Sequence, residues 1–303
     1  MYFKTLHEIT KKVQTGSVKR IVAVAAAEDE HVIASVIEAK AAGIADAILI
    51  GNAEKIKQLL KVEQQNPSDY NIVNANTVEE AAQVAVELVK KDEANFLMKG
   101  ILETAQMLKP VVNKENDLHS GRIMSHLSFN HIPSYSKVIT ITDGAMMMYP
   151  TLEQKKQILQ NAVDAFHILG YEEPKIACLC AIEKVNPKMP ETLDAAALKE
   201  AAHNGEFGKC VVEGPISYDI AMDKEIAEIK GFNSPCCGDF DILHVPNIQV
   251  GNILGKSWVV SAKGTFAGVV VGARVPIVLT SRASSSQEKL LALSIAALLS
   301  GKK

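Results

Sequence analysis

The chain alternates between short runs rich in β-branched residues and longer stretches in which apolar positions recur every three or four residues. "RIVAVAA" at 20–26 reads as a buried strand, and a helical pattern follows from about 28 to 42. "DAILIG" (46–51) is a second strand with a helix to about 61, and "NIVNA" (71–75) is a third. It leads into "NTVEEAAQVAVELVKK", where Thr77 and Glu80 form a capping-box pattern. "NFLMKG" (95–100) is a fourth strand, and "ILETAQMLKPVV" reads as helical up to Pro110. The segment 113–135 is less regular. Beyond it, "SKVITITD" (136–143), "KIACLCAI", "GKCVVEGP", "FDILHVP", "TFAGVVVG" and "PIVLT" read as strands. Between them lie a long helix opened by a second capping box, Thr151 to Gln154, and helices near 191–204, 217–230 and 248–262. At the amino end, Phe3, Leu6, Ile9 and Val13 fall on one face of an amphipathic helix.

Strands that alternate with helices at this spacing predict βαβ units and a mainly parallel α/β sheet. In such folds ligands bind beyond the carboxyl ends of the strands. The residues to inspect are therefore "KGILET", "TDGAMMMYP", "EGPISYD", "PNIQVGN" and "TSRASSSQE". A length of 303 residues exceeds the usual span of one hydrophobic core and favours two domains.

The apolar fraction of 48% is ample for a core, and the net charge of −3 offers no basic excess for nucleic acid. No stretch reaches the ~20 apolar residues of a membrane span, and the charged amino end lacks a secretory apolar region, so a cytoplasmic protein is expected. Cys178 and Cys180 share one side of a strand, Cys236 and Cys237 are adjacent, and Cys210 stands alone. No spaced ligand doublets occur, so reduced, mostly buried thiols are expected and a metal site is not. His119, His126 and His131 do not share a helix face and read as packing or solvated side chains. The run Met146–Met148 reads as adaptable apolar packing, or as the lining of an acyl pocket.

The last strand end is the most specific. A helix starting near Ser284 or Ser285 presents unpaired N–H groups and the positive end of its dipole, which suits an anion. Arg282 adds a two-pronged donor, and it is one of only four arginines, with Arg20, Arg122 and Arg274. The alternative is an ordinary serine cap beside a surface arginine. Glu288 is either a carboxylate complementing the dipole or a base facing the cleft. There is no G-x-x-x-x-G-K-[ST] and no G-x-G-x-x-G: the first strand ends in Glu28, Asp29 and Glu30 where a pyrophosphate needs glycines. H-E-x-x-H and G-x-S-x-G are absent too.

"VEGPISYDIAM", "SPCCGDFDILHVPNIQVGNILGK" and "VPIVLTSRASSSQE", in this order, resemble the phosphate acetyltransferase and phosphate butyryltransferase family. "RIVAVAAAEDEHVIAS", "LMKGILETA" and "ITDGAMMMYPTLEQK" extend the likeness over nearly the whole chain, and "DGAMMMYP" is closer to the butyryl branch. The resemblance implies a two-domain, three-layer α/β fold like that of isocitrate and isopropylmalate dehydrogenases, with the active site in the interdomain cleft. It places the first domain at 1–138 and 282–303 and an inserted second domain at 139–281. It implies reversible transfer of a short acyl group, butyryl preferred, between CoA and inorganic phosphate. Butyryl-CoA or another short acyl-CoA, phosphate and acyl phosphate are then the partners, CoA is a substrate, and no cofactor is needed. Nucleic acid and membrane are not expected partners. A homo-oligomer is expected, and the apolar "LLALSIAALL" is to be buried in a core or a subunit contact.

By the same resemblance Ser281 and Arg282 are the family's Ser-Arg pair, with Arg282 on the phosphate and Ser281 on the reacting centre. Glu288 stands where the family has its catalytic aspartate, one methylene longer. Gly251 and Asn252 match the family's Gly-Asn. Thr280, Ser284, Ser285, Lys99 and Gly100 complete the phosphate and CoA set, with Arg122 and Lys263 in place of missing CoA arginines. An acetyl-CoA enzyme of the same family, a metal- and NAD-dependent dehydrogenase of related fold, and a non-catalytic acyl-CoA binder are the alternatives.

Overall fold

The computed structural model describes residues 2–16, 19–280 and 284–301. In chain order, helix α1 (Leu6–Gln14) precedes β1 (Arg20–Ala25), α2 (Glu30–Ala41), β2 (Ala45–Gly51), α3 (Ala53–Val62), β3 (Asn71–Asn74), α4 (Val78–Lys90), β4 (Phe96–Lys99) and α5 (Thr104–Val112). Then come β5 (Ser125–His131), β6 (Ile139–Thr142), α6 (Leu152–Leu169), β7 (Lys175–Leu179), α7 (Pro190–His203) and β8 (Val211–Ile216). The short helices α8 (Tyr218–Met222) and α9 (Lys224–Ile229) follow, then β9 (Ile242–His244), α10 (Ile248–Val260), β10 (Thr265–Val271), β11 (Ile277–Val278) and α11 (Ser286–Leu299).

The chain divides into two compact units: His7–Arg122 with Ala267–Lys303, and Met1–Leu6 with Ile123–Phe266. In the first, the strand order is β3-β2-β1-β4-β11-β10. All neighbours are parallel except β10, whose Val269 and Val270 pair antiparallel with Val278 and Ile277. In the second the order is β5-β6-β9-β7-β8, with β5 antiparallel to β6 and the rest parallel. The mainly parallel α/β class expected from the sequence is thus present in both units.

The unit boundaries fall at 122/123 and 266/267 instead of the expected 138/139 and 281/282. Pairing explains both differences. The segment before β6 folds back on it as β5, with Phe129 opposite Thr140. Residues 267–278 are held through β11 to β4. The amino end also divides. Phe3 lies before α1, donates its N–H to the Tyr171 hydroxyl at 3.3 Å and packs tilted against that ring, with centroids 6.1 Å apart.

Other boundaries moved for local reasons. The irregular 113–135 contains a strand, β5, in which Leu127 and Phe129 alternate inward. Helix α5 continues past Pro110 to Val112, because a proline so near the end costs only the bonds of the last turn. The helix expected at 217–230 is two helices, because the Asp223 side chain caps α9 by accepting from the N–H groups of Glu225 and Ile226.

Helix α11 is apolar on all sides, and Leu291, Leu293, Ile295 and Leu299 are buried within the first unit, where it packs on α2. The five cysteines are free, and burial pushes the Cys180 and Cys210 thiols up to about 11. No helix among the described residues is long and apolar enough to cross a membrane.

At the amino ends of β6, β7 and β9, Lys137 donates to Asp241 at 2.6 Å, with both side chains buried, and lies 2.8 Å from Asp239. Asp241 also accepts the Lys175 backbone N–H at 2.8 Å. Replacing Lys137 by Met strands a buried carboxylate, so K137M is expected to lose about 3–5 kcal/mol in urea unfolding. The double variant with Asp241→Leu is expected to recover part of that loss.

His244, buried at the end of β9, is held down to about 4 by burial and by the nearby Lys155 charge. Unfolded, it titrates near 6.5. Between those values the unfolded chain takes a proton that the folded one refuses, so stability falls as pH drops from about 6.5 to 4. Urea midpoints measured across this range are expected to be flatter in H244Q than in the parent.

Candidate active site

The carboxyl ends of β1, β4 and β11 lie side by side, with Ala25 registered on Lys99 and Met98 on Val278. Past β4 the backbone crosses the end of β1. Gly100 donates to the Ala25 carbonyl at 2.8 Å and Ile101 to that of Ala26 at 3.0 Å. A Cβ at Gly100 would run into the Ala26 carbonyl, so this crossing requires glycine. Lys99 is buried, and its ammonium donates to the Gly100 and Leu102 carbonyls at 3.2 and 3.0 Å. At the end of β1, Glu28 accepts from the Asn52 N–H at 3.3 Å, and Asp29 caps α2 through the Val32 N–H at 2.9 Å.

Thr280 follows β11 and is buried. Ser281 and Arg282 lie outside the described residues. Chain description resumes at Ser284, whose hydroxyl is buried with no hydrogen-bond partner among the described residues. Ser285 caps α11 in a closed capping box. Its hydroxyl accepts from the Glu288 N–H at 3.2 Å, and the Glu288 carboxylate accepts from the Ser285 N–H at 2.9 Å. One carboxylate oxygen of Glu288 is therefore committed to the helix start.

Lys289, in the same first turn, is buried and donates to the Ser284 carbonyl at 2.6 Å. Burial holds its pKa below the usual lysine range, against the pull of Asp29 and Glu288. Two buried ammonium groups and the positive end of α11 thus belong to adjoining turns of the first unit. This is the equipment of an anion site.

In the second unit the ends of β6 and β9 meet the start of α10. Asp143 is buried and accepts from the N–H groups of Ala145 and Met146 at 2.8 and 2.9 Å; burial pushes its carboxyl up against those bonds. A Cβ at Gly251 would lie 2.7 Å from the Gly144 Cα, so two glycines allow the helix to touch the turn. Asn252 donates to the Gly144 carbonyl at 3.4 Å. Lys263 is not part of this cluster. It follows the other end of α10, is exposed, and donates to the Val260 carbonyl at 3.1 Å. Arg122 ends the segment before β5, half-buried, with its backbone N–H on the Ser120 hydroxyl at 3.4 Å. Among the described residues no group of His, Cys, Asp or Glu is arranged to hold a metal ion.

The family model described as phosphate acetyl/butaryl transferase matches residues 72–297. A phosphate butyryltransferase of Clostridium acetobutylicum is 41% identical over 300 residues, spanning 99% of each chain. The chain belongs to the phosphate acetyl/butyryl transferase family. A phosphate acetyltransferase of Thermotoga maritima is 37% identical, over 98% of this chain and 99% of its own. The solved branched-chain phosphotransacylase of Enterococcus faecalis superimposes with a TM-score of 0.82 at 31% identity, over 94% of this chain and all of its own. A 4-hydroxythreonine-4-phosphate dehydrogenase of Burkholderia phymatum shares the fold, with a TM-score of 0.57 at 12% identity. The dehydrogenase-like architecture expected from the sequence is therefore present, and the protein is an acyltransferase by family.

Within this family frame, the structure draws Lys99, Gly100, Thr280, Ser284, Ser285 and Glu288 to adjoining strand and helix ends of one unit. Gly251 and Asn252 form a separate cluster in the other. Sequence inspection missed Lys289 and Asp143. Lys289 had a readable signal, because a lysine in a helix's first turn opposes the dipole and is out of place there without an acidic or anionic neighbour.

Removing the cap and removing the charge have separable effects. S285A is expected to cost about 1 kcal/mol of stability. E288Q keeps a capping-box partner and is expected to change stability by less than about 0.5 kcal/mol while abolishing a carboxylate base. Urea unfolding and turnover measured on both variants check this. Full turnover in E288Q would make the carboxylate purely structural.

Proposed function

We propose that the protein reversibly transfers a short acyl group between CoA and inorganic phosphate, with butyryl preferred: butyryl-CoA + phosphate = butyryl phosphate + CoA. The observation that carries this reading is the grouping of Lys99, Lys289 and the α11 amino end at the carboxyl ends of β4 and β11. Near full-length identity of 41% to a phosphate butyryltransferase supports the choice of acyl group.

In the forward direction a phosphate oxygen attacks the thioester carbonyl carbon and an oxyanion forms. The C–S bond then breaks and the thiolate leaves with CoA, to be protonated there. In reverse the CoA thiolate attacks the acyl phosphate carbonyl and the C–O bond to phosphate breaks. Neither direction changes an oxidation state. The demand on the protein is to hold two anions together and to move one proton. Arg282 and Ser281 are assigned the phosphate and the developing oxyanion, with the two buried lysines and the α11 dipole as fixed positive background. Glu288 is assigned the thiol proton through the carboxylate oxygen not used by the cap. CoA itself carries the acyl group, and no cofactor is assigned.

A phosphate acetyltransferase is the second reading, favoured by the 37% identity to the Thermotoga maritima protein. Release of free CoA from acetyl-, butyryl- and isobutyryl-CoA, with and without phosphate, separates the two. Phosphate-dependent release fastest with a four-carbon chain is the expected outcome. Fastest release from acetyl-CoA would move the protein to the acetyl branch. No phosphate-dependent release from any of the three would overturn the acyltransfer reading.

A further inference from the structure

Helix α10 in the second unit is apolar on two opposite faces, and only one of them is covered. The inner face carries Gly251, Leu254 and Trp258. Gly251 and Trp258 are buried, and Leu254 packs on the cluster that includes Ile141, Leu243 and Val245. On the outer face Val250, Ile253, Ser257 and Val260 recur at intervals of three, four and three residues, which aligns them in one stripe. Ile253 and Val260 each leave 68% of their surface open, and Val250 leaves 39%. Ser257 does not make the stripe polar, because its hydroxyl donates to the Leu254 carbonyl of its own helix at 2.7 Å. A helix that is apolar on both sides belongs in an interior.

The stripe continues into its surroundings. The Tyr149 hydroxyl accepts from the Gln249 amide at 2.5 Å, and the Met148 carbonyl accepts the Ile248 N–H at 3.1 Å. The side chains of Met148 and Tyr149 are as open as Ile253. Beside them lies a groove of about 810 Å³, and Tyr149, Tyr218, Val250 and Ile253 form part of its walls. With Met148 and Val260 these residues open an apolar patch on the order of several hundred Å², a size at which an exposed patch marks an interaction surface. A standard two-fold contact takes roughly 800 Å² from each partner, and in homodimers about two-thirds of it is apolar. The patch matches that apolar share.

The stripe is also complementary to itself. When two copies of α10 pack antiparallel about a two-fold axis level with Gly255, Val250 lies opposite Val260 of the partner subunit, and Ile253 lies opposite Ser257 of the partner subunit. Apolar meets apolar at the ends, and a large side chain meets a small one on each side of the axis. Charge agrees with this seating. Lys256 is the only charged residue of α10 and lies off the stripe, so the two-fold does not set it against itself. In the groove Lys155 is paired with Asp194 at 2.7 Å and Glu191 adds a further carboxylate. The groove thus has one acid in surplus, and a second α10 brings one cation and no acid. We propose that this stripe is the two-fold contact with a second copy of this chain, α10 packed antiparallel on α10.

Sedimentation equilibrium of the full-length chain tests it first. The parent is expected at an even multiple of the chain mass. I253E, which buries an unpaired carboxylate in each half of the seam, is expected at half the parent's mass or less. A parent that sediments as a single chain, or I253E at the parent's mass, overturns the proposal. Cross-linking reads the register and does not depend on how I253E folds. Oxidised with copper phenanthroline, the double variant V250C/V260C is expected to give a covalent dimer on a non-reducing gel. V250C and V260C alone are expected to give no more dimer than the parent, because each position meets the other across the axis. Dimer formed equally by the single variants would make the helices parallel and overturn the seating, and so would a double variant that forms none. Neither measurement reads turnover, so its outcome is separate from that of the acyl-transfer reading.

Discussion

The last helix is apolar on every side, and that one constraint organises the first unit. A helix of this kind has no solvent face, so α11 must return from the far end of the sequence and bury itself on α2, β4 and β11. Its burial fixes where its amino end lies. Its first turn thereby belongs with β11, which pairs with β4 beside β1, and Lys289 comes under the influence of Asp29 after β1. The positive pole of the helix, the Ser285–Glu288 box and the buried Lys289 arrive together because they share one rigid element. A capping box and a buried lysine placed this way owe their geometry to hydrophobic packing some distance along the helix.

The second unit is held by a different economy. Its amino-end layer is ionic: Lys137, Asp239, Asp241 and Lys175 tie the starts of β6, β7 and β9 together. Such pairs repay their desolvation only with good geometry, and each carboxylate here has more than one donor. Around the turn after β6 the contacts are those of small groups and backbone. Gly144 against Gly251 lets α10 touch the turn after β6, and Asp143 organises that turn through two N–H groups. The amino-end layer is pinned by charge, and the turn after β6 by close backbone approach.

Charge also distinguishes the strand ends of the two units. The ends of β4 and β11 offer buried ammonium groups and a helix dipole, which suit phosphate. The pocket beyond β7, β8 and β9 is lined by one lysine, paired with Asp194, and by a further carboxylate, Glu191.

The sequence alone determined the alternation of strands and helices, the helix starts at Thr77 and Thr151, and the apolar last helix with its serine cap. Each of these depends on side chains a few residues apart, so local periodicity and capping chemistry suffice to read them. Tertiary structure decided the rest. Residues 125–131 became a strand because β6 was there to pair with them, and 267–278 joined the first unit because β11 found β4. Glu288 could be read as base or as cap from its position. The fold gave one of its oxygens to Ser285, and it paired Lys155 with Asp194, 39 positions apart. Pairing partners and charge neighbours distant in sequence leave no periodic trace in it; they exist only once burial has brought the elements together.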